Sequence, residues 1–118
     1  MPKIMVVDDA AFMRMKCAKL LTENGYEVVE AGNGTEAVEV YKAEQPDAVL
    51  LDITMPDMDG LTALKRLREI DGNVRVAMVT AMGQQAIVMD ALKSGAKDFV
   101  IKPFAADRVL AAVKKILG

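Results

Sequence analysis

Short apolar runs alternate along the chain with longer stretches in which apolar residues return every three or four positions. Residues 4–7 form an uninterrupted apolar run that stops at Asp8 and Asp9, the pattern of a strand buried on both faces. From about residue 11 to 24, Met13, Cys17, Leu20 and Leu21 fall at i, i+4, i+7 and i+8, which predicts a helix with Gly25 as its stop. Residues 26–31 predict a second strand. Asn33 is the expected cap of the next helix, with Glu36 three residues on in a capping-box arrangement and Pro46 just past the helix end. Residues 48–51 predict a third strand, ending at Asp52. Asp57, Asp59 and Gly60 mark a loop, the acids expected to set its geometry and Gly60 to supply a positive φ, while the Met55-Pro56 pair shapes it. The remaining pattern predicts a helix over about 61–70, a strand over 74–79 ending at Thr80, and a helix over about 84–94 stopped by Gly95. A strand over 99–101 then ends at Lys102 and Pro103, before a last helix carrying Val109, Leu110, Val113, Ile116 and Leu117.

Five strands, each followed by a helix, imply an α/β domain spanning residues 1–118, with a parallel sheet and helices on both faces. Right-handed crossovers leave few topologies. The expected one is a doubly wound, flavodoxin-like three-layer sandwich with strand order 2-1-3-4-5, an order adopted from that fold class rather than deduced from these residues.

Composition narrows the chemistry. The chain has no histidine, so histidine-based catalysis is excluded and the chain is no phosphohistidine donor. Fifteen basic and seventeen acidic residues nearly cancel without an obvious basic cluster, which gives no support for nucleic-acid binding. The single cysteine, Cys17, lies on the apolar stripe of the first helix and reads as a small buried hydrophobe. No run of eighteen apolar residues suggests a membrane span, and acidic residues arrive too soon for a secretory signal. A reducing, cytoplasmic setting is the expectation, with a monomer as the oligomeric state. Most of the nine methionines are expected to fill the core, with some available for an adaptable docking surface.

In an open parallel sheet, ligands bind beyond the carboxyl ends of the strands near the switch point. Asp8 and Asp9, Asp52, Thr80 and Lys102 all stand at such ends. Clustered carboxylates repel one another, and a hard divalent cation with oxygen ligands relieves them; Mg2+ suits one or two carboxylates, waters and a phosphate oxygen. Lys102 adds a point charge for a phosphoryl oxygen and Thr80 a hydroxyl donor. Phosphoryl transfer needs an in-line nucleophile and neutralised oxygens. Asp52, fixed at a strand end yet next to a loop, is the expected nucleophile. Asp9, Asp52 and the backbone carbonyl of Thr54 are expected metal ligands, with Asp8 acting through a metal-bound water. Thr54 and Met82 flank the expected site and are candidates to gate attacking water.

The motifs Val6-Val7-Asp8-Asp9, Leu50-Leu51-Asp52-Ile53-Thr54-Met55-Pro56-Asp57-Met58-Asp59-Gly60, Thr80-Ala81 and Lys102-Pro103-Phe104 resemble, in order and spacing, the signatures of response-regulator receiver domains. The match covers essentially the whole chain. Ala81-Met82-Gly83-Gln84-Gln85 is similar to thermophile-type receivers of the chemotaxis (CheY) group. Chemotaxis receivers are themselves examples of the 2-1-3-4-5 order. The resemblance implies that Asp52 is the phosphoacceptor, that Asp8 and Asp9 form the acid pair, and that Thr80 and Lys102 report and hold the phosphoryl group. It also implies a cis Lys102-Pro103 bond and a rotamer switch at Phe99, where many chemotaxis receivers carry tyrosine. The missing hydroxyl puts in question only a partner contact that relies on it.

The function implied is a two-component switch. A histidine kinase phosphorylates Asp52, Thr80 is drawn inward, Phe99 follows, and the face of the fourth helix, fifth strand and fifth helix changes. With no output domain after Gly118, the expected output is through a partner such as a flagellar motor switch component, or else a phosphorelay. The expected activity is limited to the chain's own phosphorylation and slow dephosphorylation. A haloacid dehalogenase-type phosphatase is an alternative, although its nucleophile belongs to an Asp-x-Asp motif after strand one and here the acids are adjacent. A flavin-binding module of the same topology is another, but Asp8-Asp9-Ala10-Ala11 would repel a phosphate without a metal. The fourth helix is apolar at Ala86, Ile87, Val88, Met89, Ala91 and Leu92, more than one buried stripe needs; it is either deeply buried or a docking face shared with the strand near Phe99.

Overall fold

The computed structural model describes residues 1–81 and 84–118. Its elements run β1 (Lys3–Val7), α1 (Ala11–Glu23), β2 (Glu27–Ala31), α2 (Gly34–Glu44), β3 (Ala48–Asp52), α3 (Gly60–Ile70), β4 (Val76–Ala81), α4 (Gln85–Lys93), β5 (Asp98–Lys102) and α5 (Ala106–Leu117). The strands make one parallel sheet in the order β2-β1-β3-β4-β5, the expected one.

Alternate residues of the inner strands feed two cores. Met5, Val7, Val49, Leu51, Val76 and Met78 pack with Tyr41 of α2, Leu64 and Leu67 of α3 and Val88 of α4. Ile4, Val6, Leu50 and Val100 pack instead with Cys17 and Leu21 of α1 and Val109, Val113 and Ile116 of α5. Because both faces are covered, the inner strands read as continuous apolar runs with no polar alternation. Burying one Leu or Ile stabilises the fold by roughly 1.5–3 kcal/mol, so these layers dominate its energetics.

Local signals set the boundaries. Gly25 adopts φ +88° just after α1, while the Asn24 and Tyr26 amides both donate to the Leu21 carbonyl and end the helix. Tyr26 therefore belongs to this helix-closing turn, and β2 starts one residue later than predicted. Asn33 caps α2 by accepting from the Glu36 amide at 2.8 Å. The capping box closes one residue early, because Glu36 reaches back to the Gly32 amide at 3.2 Å. Strand β4 begins at Val76 and not at 74, since the Val74 amide is spent on the Asp71 carbonyl in the turn after α3.

Gly60 corrects an expectation. Its φ is not positive, unlike those of Gly25, Gly95 and Gly118. Its requirement is space, since a Cβ there would fall 2.6 Å from Ile53 Cα and overlap the Asp52 backbone oxygen as well. Nor is Asp57 confined to its own loop. Its carboxylate accepts from the Gly34 and Thr35 amides and the Thr35 hydroxyl at 2.8–3.0 Å, which pins the loop to the start of α2 and holds its pKa down at about 2. Asp59 caps α3 through the Thr62 amide at 2.7 Å.

Candidate phosphoryl and metal site

Strand register builds the site. Val7 pairs with Leu51, so the next residues, Asp8 and Asp52, emerge side by side at the carboxyl edge. Asp52 pairs with Val79, which sets Thr80 one step beyond it. Ala81 pairs with Lys102, completing the row. Oxygen atoms of Asp8, Asp9 and Asp52 all lie within 4.8 Å of one another.

Lys102 sits between two of these acids. Its Nζ donates to Asp8 Oδ2 at 2.9 Å and stands 3.5 Å from Asp52 Oδ2. The Lys102-Pro103 bond that follows is cis. Asp8 Oδ1 also accepts from the Ala10 amide at 2.9 Å, while the Arg14 guanidinium donates to the Asp8 backbone carbonyl at 2.6 Å. Asp52 Oδ1 has a long contact of 3.4 Å with the Thr54 amide. Asp8 and Asp52 are buried, whereas Asp9 faces solvent.

The electrostatics are unbalanced. Burial pushes Asp52 up to about 6; Lys102 pulls it back, and the charges of Asp8 and Asp9 add to the rise. Burial also pulls Lys102 down, but its bond to Asp8 and the charges of Asp52 and Asp8 outweigh this and hold it above its ordinary value. Two buried carboxylates, Asp8 and Asp52, thus share one ammonium, and the exposed Asp9 adds a third carboxylate beside them. The donor set is oxygen only, with the Thr54 carbonyl in the adjoining loop, and this fits a hard divalent cation such as Mg2+.

Thr80 reaches the same edge but is turned to other partners. Its buried hydroxyl donates to Gln84 Oε1 at 2.8 Å, with the Ala81 carbonyl 3.1 Å away. Gln84 Nε2 in turn donates to Thr54 Oγ1 at 3.2 Å. Phe99 is half-buried beside Thr80, Gln84, Val88, Met89, Leu92 and Ile101 in an apolar cleft of about 120 Å³ between α4 and β5. Helix α4 is therefore not deeply buried: Val88 and Ala91 face the core, but Met89 is 54% exposed. Met82 and Gly83 lie outside the described residues, and with them the water-gating expectation for Met82 and the middle of the chemotaxis-like segment.

Cys17 is buried as expected, its thiol pushed up to about 11 by burial and then by the charge of Asp8. The sequence reading missed Gln84 and Arg14 as partners of the site. A lone amide at a helix start and a lone guanidinium on a helix carry no local signal; only the fold shows what they reach.

The chain matches the family model "Response regulator receiver domain" over residues 4–114. It is 59% identical over 117 residues to the chemotaxis protein CheY of Bacillus subtilis (strain 168), covering 98% of each chain. It is 52% identical over 115 residues to the chemotaxis protein CheY of Thermotoga maritima, covering 97% of this chain and 96% of that one. The crystal structure of a response regulator receiver domain protein from Clostridium thermocellum superposes with a TM-score of 0.95 at 27% identity, covering 99% of this chain and 94% of the other.

Proposed function

The chain belongs to the response regulator receiver family, a family of signalling proteins and not classical enzymes, and from that premise we propose that Asp52 is its phosphoacceptor. In this reading a histidine kinase supplies the phosphoryl group, and the product is a switch state that binds an output partner. The observation that carries it is the buried Asp52 carboxylate, with Lys102 Nζ 3.5 Å away and two further carboxylates at the same strand ends.

Mg2+ held by Asp9, Asp52 and the Thr54 carbonyl would neutralise the developing charge of the transferred phosphoryl group. Asp8, with one oxygen on Lys102 and the other on the Ala10 amide, is better suited to hold a metal-bound water. Lys102 is positioned for a phosphoryl oxygen. In the phosphorylated state Thr80 turns to another such oxygen, and Phe99 moves into the space that this vacates.

The output surface is the apolar face of α4 and β5, where Met89 and Ile101 are 54% and 41% exposed. The two CheY relatives favour chemotaxis, with a flagellar motor switch component as partner. We place this receiver in the cytoplasm as a monomer, on the likeness to the chemotaxis relatives. Among the described residues, no helix is long and apolar enough to cross a membrane.

Incubation with Mg2+ and acetyl phosphate is expected to give a labile adduct that Asp52→Asn abolishes. Equal labelling of Asp52→Asn would overturn the assignment. Alanine at Met89 and Ile101 is expected to weaken capture of the phosphorylated form's partner, and unchanged capture would remove the docking surface.

A further inference from the structure

Gln84 occupies the cap position of α4, yet its side chain makes no capping hydrogen bond. Its amide is used elsewhere. The carbonyl end accepts from Thr80 Oγ1 at 2.8 Å and the amino end donates to Thr54 Oγ1 at 3.2 Å. One side chain thus bridges the end of β4 to the loop after β3: Thr80 follows Val79, the strand partner of Asp52, and Thr54 lies two residues beyond Asp52 in the chain. Thr80 is 2% exposed, so its hydroxyl needs an internal partner; the Ala81 carbonyl lies 3.1 Å away, and Gln84 Oε1, at 2.8 Å, is the nearer acceptor and the one supplied by a side chain.

The geometry points to Gln84 as a positioning residue for the phosphoacceptor site: a clasp that holds the Thr80 hydroxyl away from Asp52 and sets how readily the site accepts a phosphoryl group. The inference rests on the reading of Asp52 as phosphoacceptor. When Asp52 is phosphorylated by acetyl phosphate, an Asp52 carboxylate oxygen forms the new P–O bond. The P–O bond to the acetyl oxygen breaks, and acetate leaves with that electron pair. For Thr80 to donate to the new phosphoryl group, it must first give up Gln84. The clasp therefore stabilises the resting state by about one net hydrogen bond, which corresponds to roughly a fivefold bias in population. The same cleft that holds Thr80 and Gln84 also holds Phe99, Met89 and Ile101, so releasing the clasp changes the wall of the proposed docking surface.

The test uses beryllofluoride, a phosphoryl mimic, at saturating Mg2+, with its apparent dissociation constant read from the bound fluorine NMR resonance. Gln84→Met keeps the side-chain length but removes both hydrogen bonds, and is expected to tighten binding about fivefold. Gln84→Ala serves as a second variant with the same expected direction. In a Thr80→Ala background, Gln84→Met is expected to change nothing, because the group that the clasp restrains is gone. A staple with a purely structural role would move the urea midpoint and leave beryllofluoride affinity unchanged, and that result would overturn the clasp. So would an equal gain in the Thr80→Ala background. Beryllofluoride binding that survives Asp52→Asn would overturn the phosphoacceptor reading instead, so the two failures are distinguishable.

Discussion

Replacing Asp52 by Asn should make the metal-free protein more stable at neutral pH. Burial raises Asp52 from 3.8 to about 6, and Lys102 only partly offsets this. A carboxylic acid with a raised pKa in the fold binds its proton more tightly there than in the unfolded chain. Its favourable contribution is therefore present below the unfolded value near 4 and is lost as pH rises through about 6. Each tenfold difference in proton affinity is worth about 1.36 kcal/mol, so the loss approaches roughly 3 kcal/mol by pH 8. Asn resembles the protonated acid in shape and never ionises. The substitution leaves Lys102 its 2.9 Å bond to Asp8, although the 3.5 Å contact to Asp52 loses its charge. The gain should be about 2–3 kcal/mol at pH 8 in the presence of a chelator, or about 10 °C in Tm, and near zero at pH 4. Urea denaturation of both proteins from pH 4 to 8 measures it. Added Mg2+ should close the gap from the other side, because the proposed metal site would bind it in the folded wild type and not in the unfolded chain. A variant that is less stable at pH 8, or a difference that does not change with pH, would refute the argument.

Three further outcomes follow from the packing. Gly60→Ala would press a Cβ into the backbone of Asp52 and Ile53, so urea melts should show a loss of about 2 kcal/mol or more together with slower acetyl phosphate labelling. Asp98→Asn weakens the two-pronged pair with Arg108, at 3.2 Å on each arm, and should cost about 1 kcal/mol at pH 7. Burial pushes Asp98 up, but Arg108 and the Phe99 amide outweigh it and the net pKa is lowered; this contribution is present above the ordinary carboxylate value and lost as pH falls through the depressed one, so the gap between the two proteins should narrow in acid. Lys102→Met should slow acetyl phosphate labelling at least tenfold, about 1.4 kcal/mol, and a smaller effect would argue against Lys102 as the phosphoryl-oxygen partner.

The residues of the site were legible because they punctuate apolar runs. Asp52 and Lys102 are the last residues of β3 and β5, Asp8 follows β1 and Thr80 is the penultimate residue of β4, and a parallel sheet brings such positions to one edge whatever the details of packing. Family signatures at those ends did the rest. Boundaries were less legible, because hydropathy does not say where a backbone amide is spent. Val74 is as apolar as Val76 but belongs to a turn.

By itself, then, the sequence determined the number and type of elements, the two-sided burial of the sheet and which polar residues stand at its carboxyl edge. Periodicity and chain punctuation are local, and a local pattern suffices for these. Only the tertiary structure decided what needs distances between segments far apart in the chain. It decided that Gly60 is required for space beside Asp52 and not for its φ, and that Asp57 pins α2. It left most of α4 exposed and turned Thr80 toward Gln84. It also gathered Arg68, Arg75, Lys97 and Lys115 around one cleft of a chain whose sequence shows no basic cluster. Residues scattered along a chain meet only when layers pack, and the shapes of neighbouring side chains, which no single segment encodes, fix how they meet.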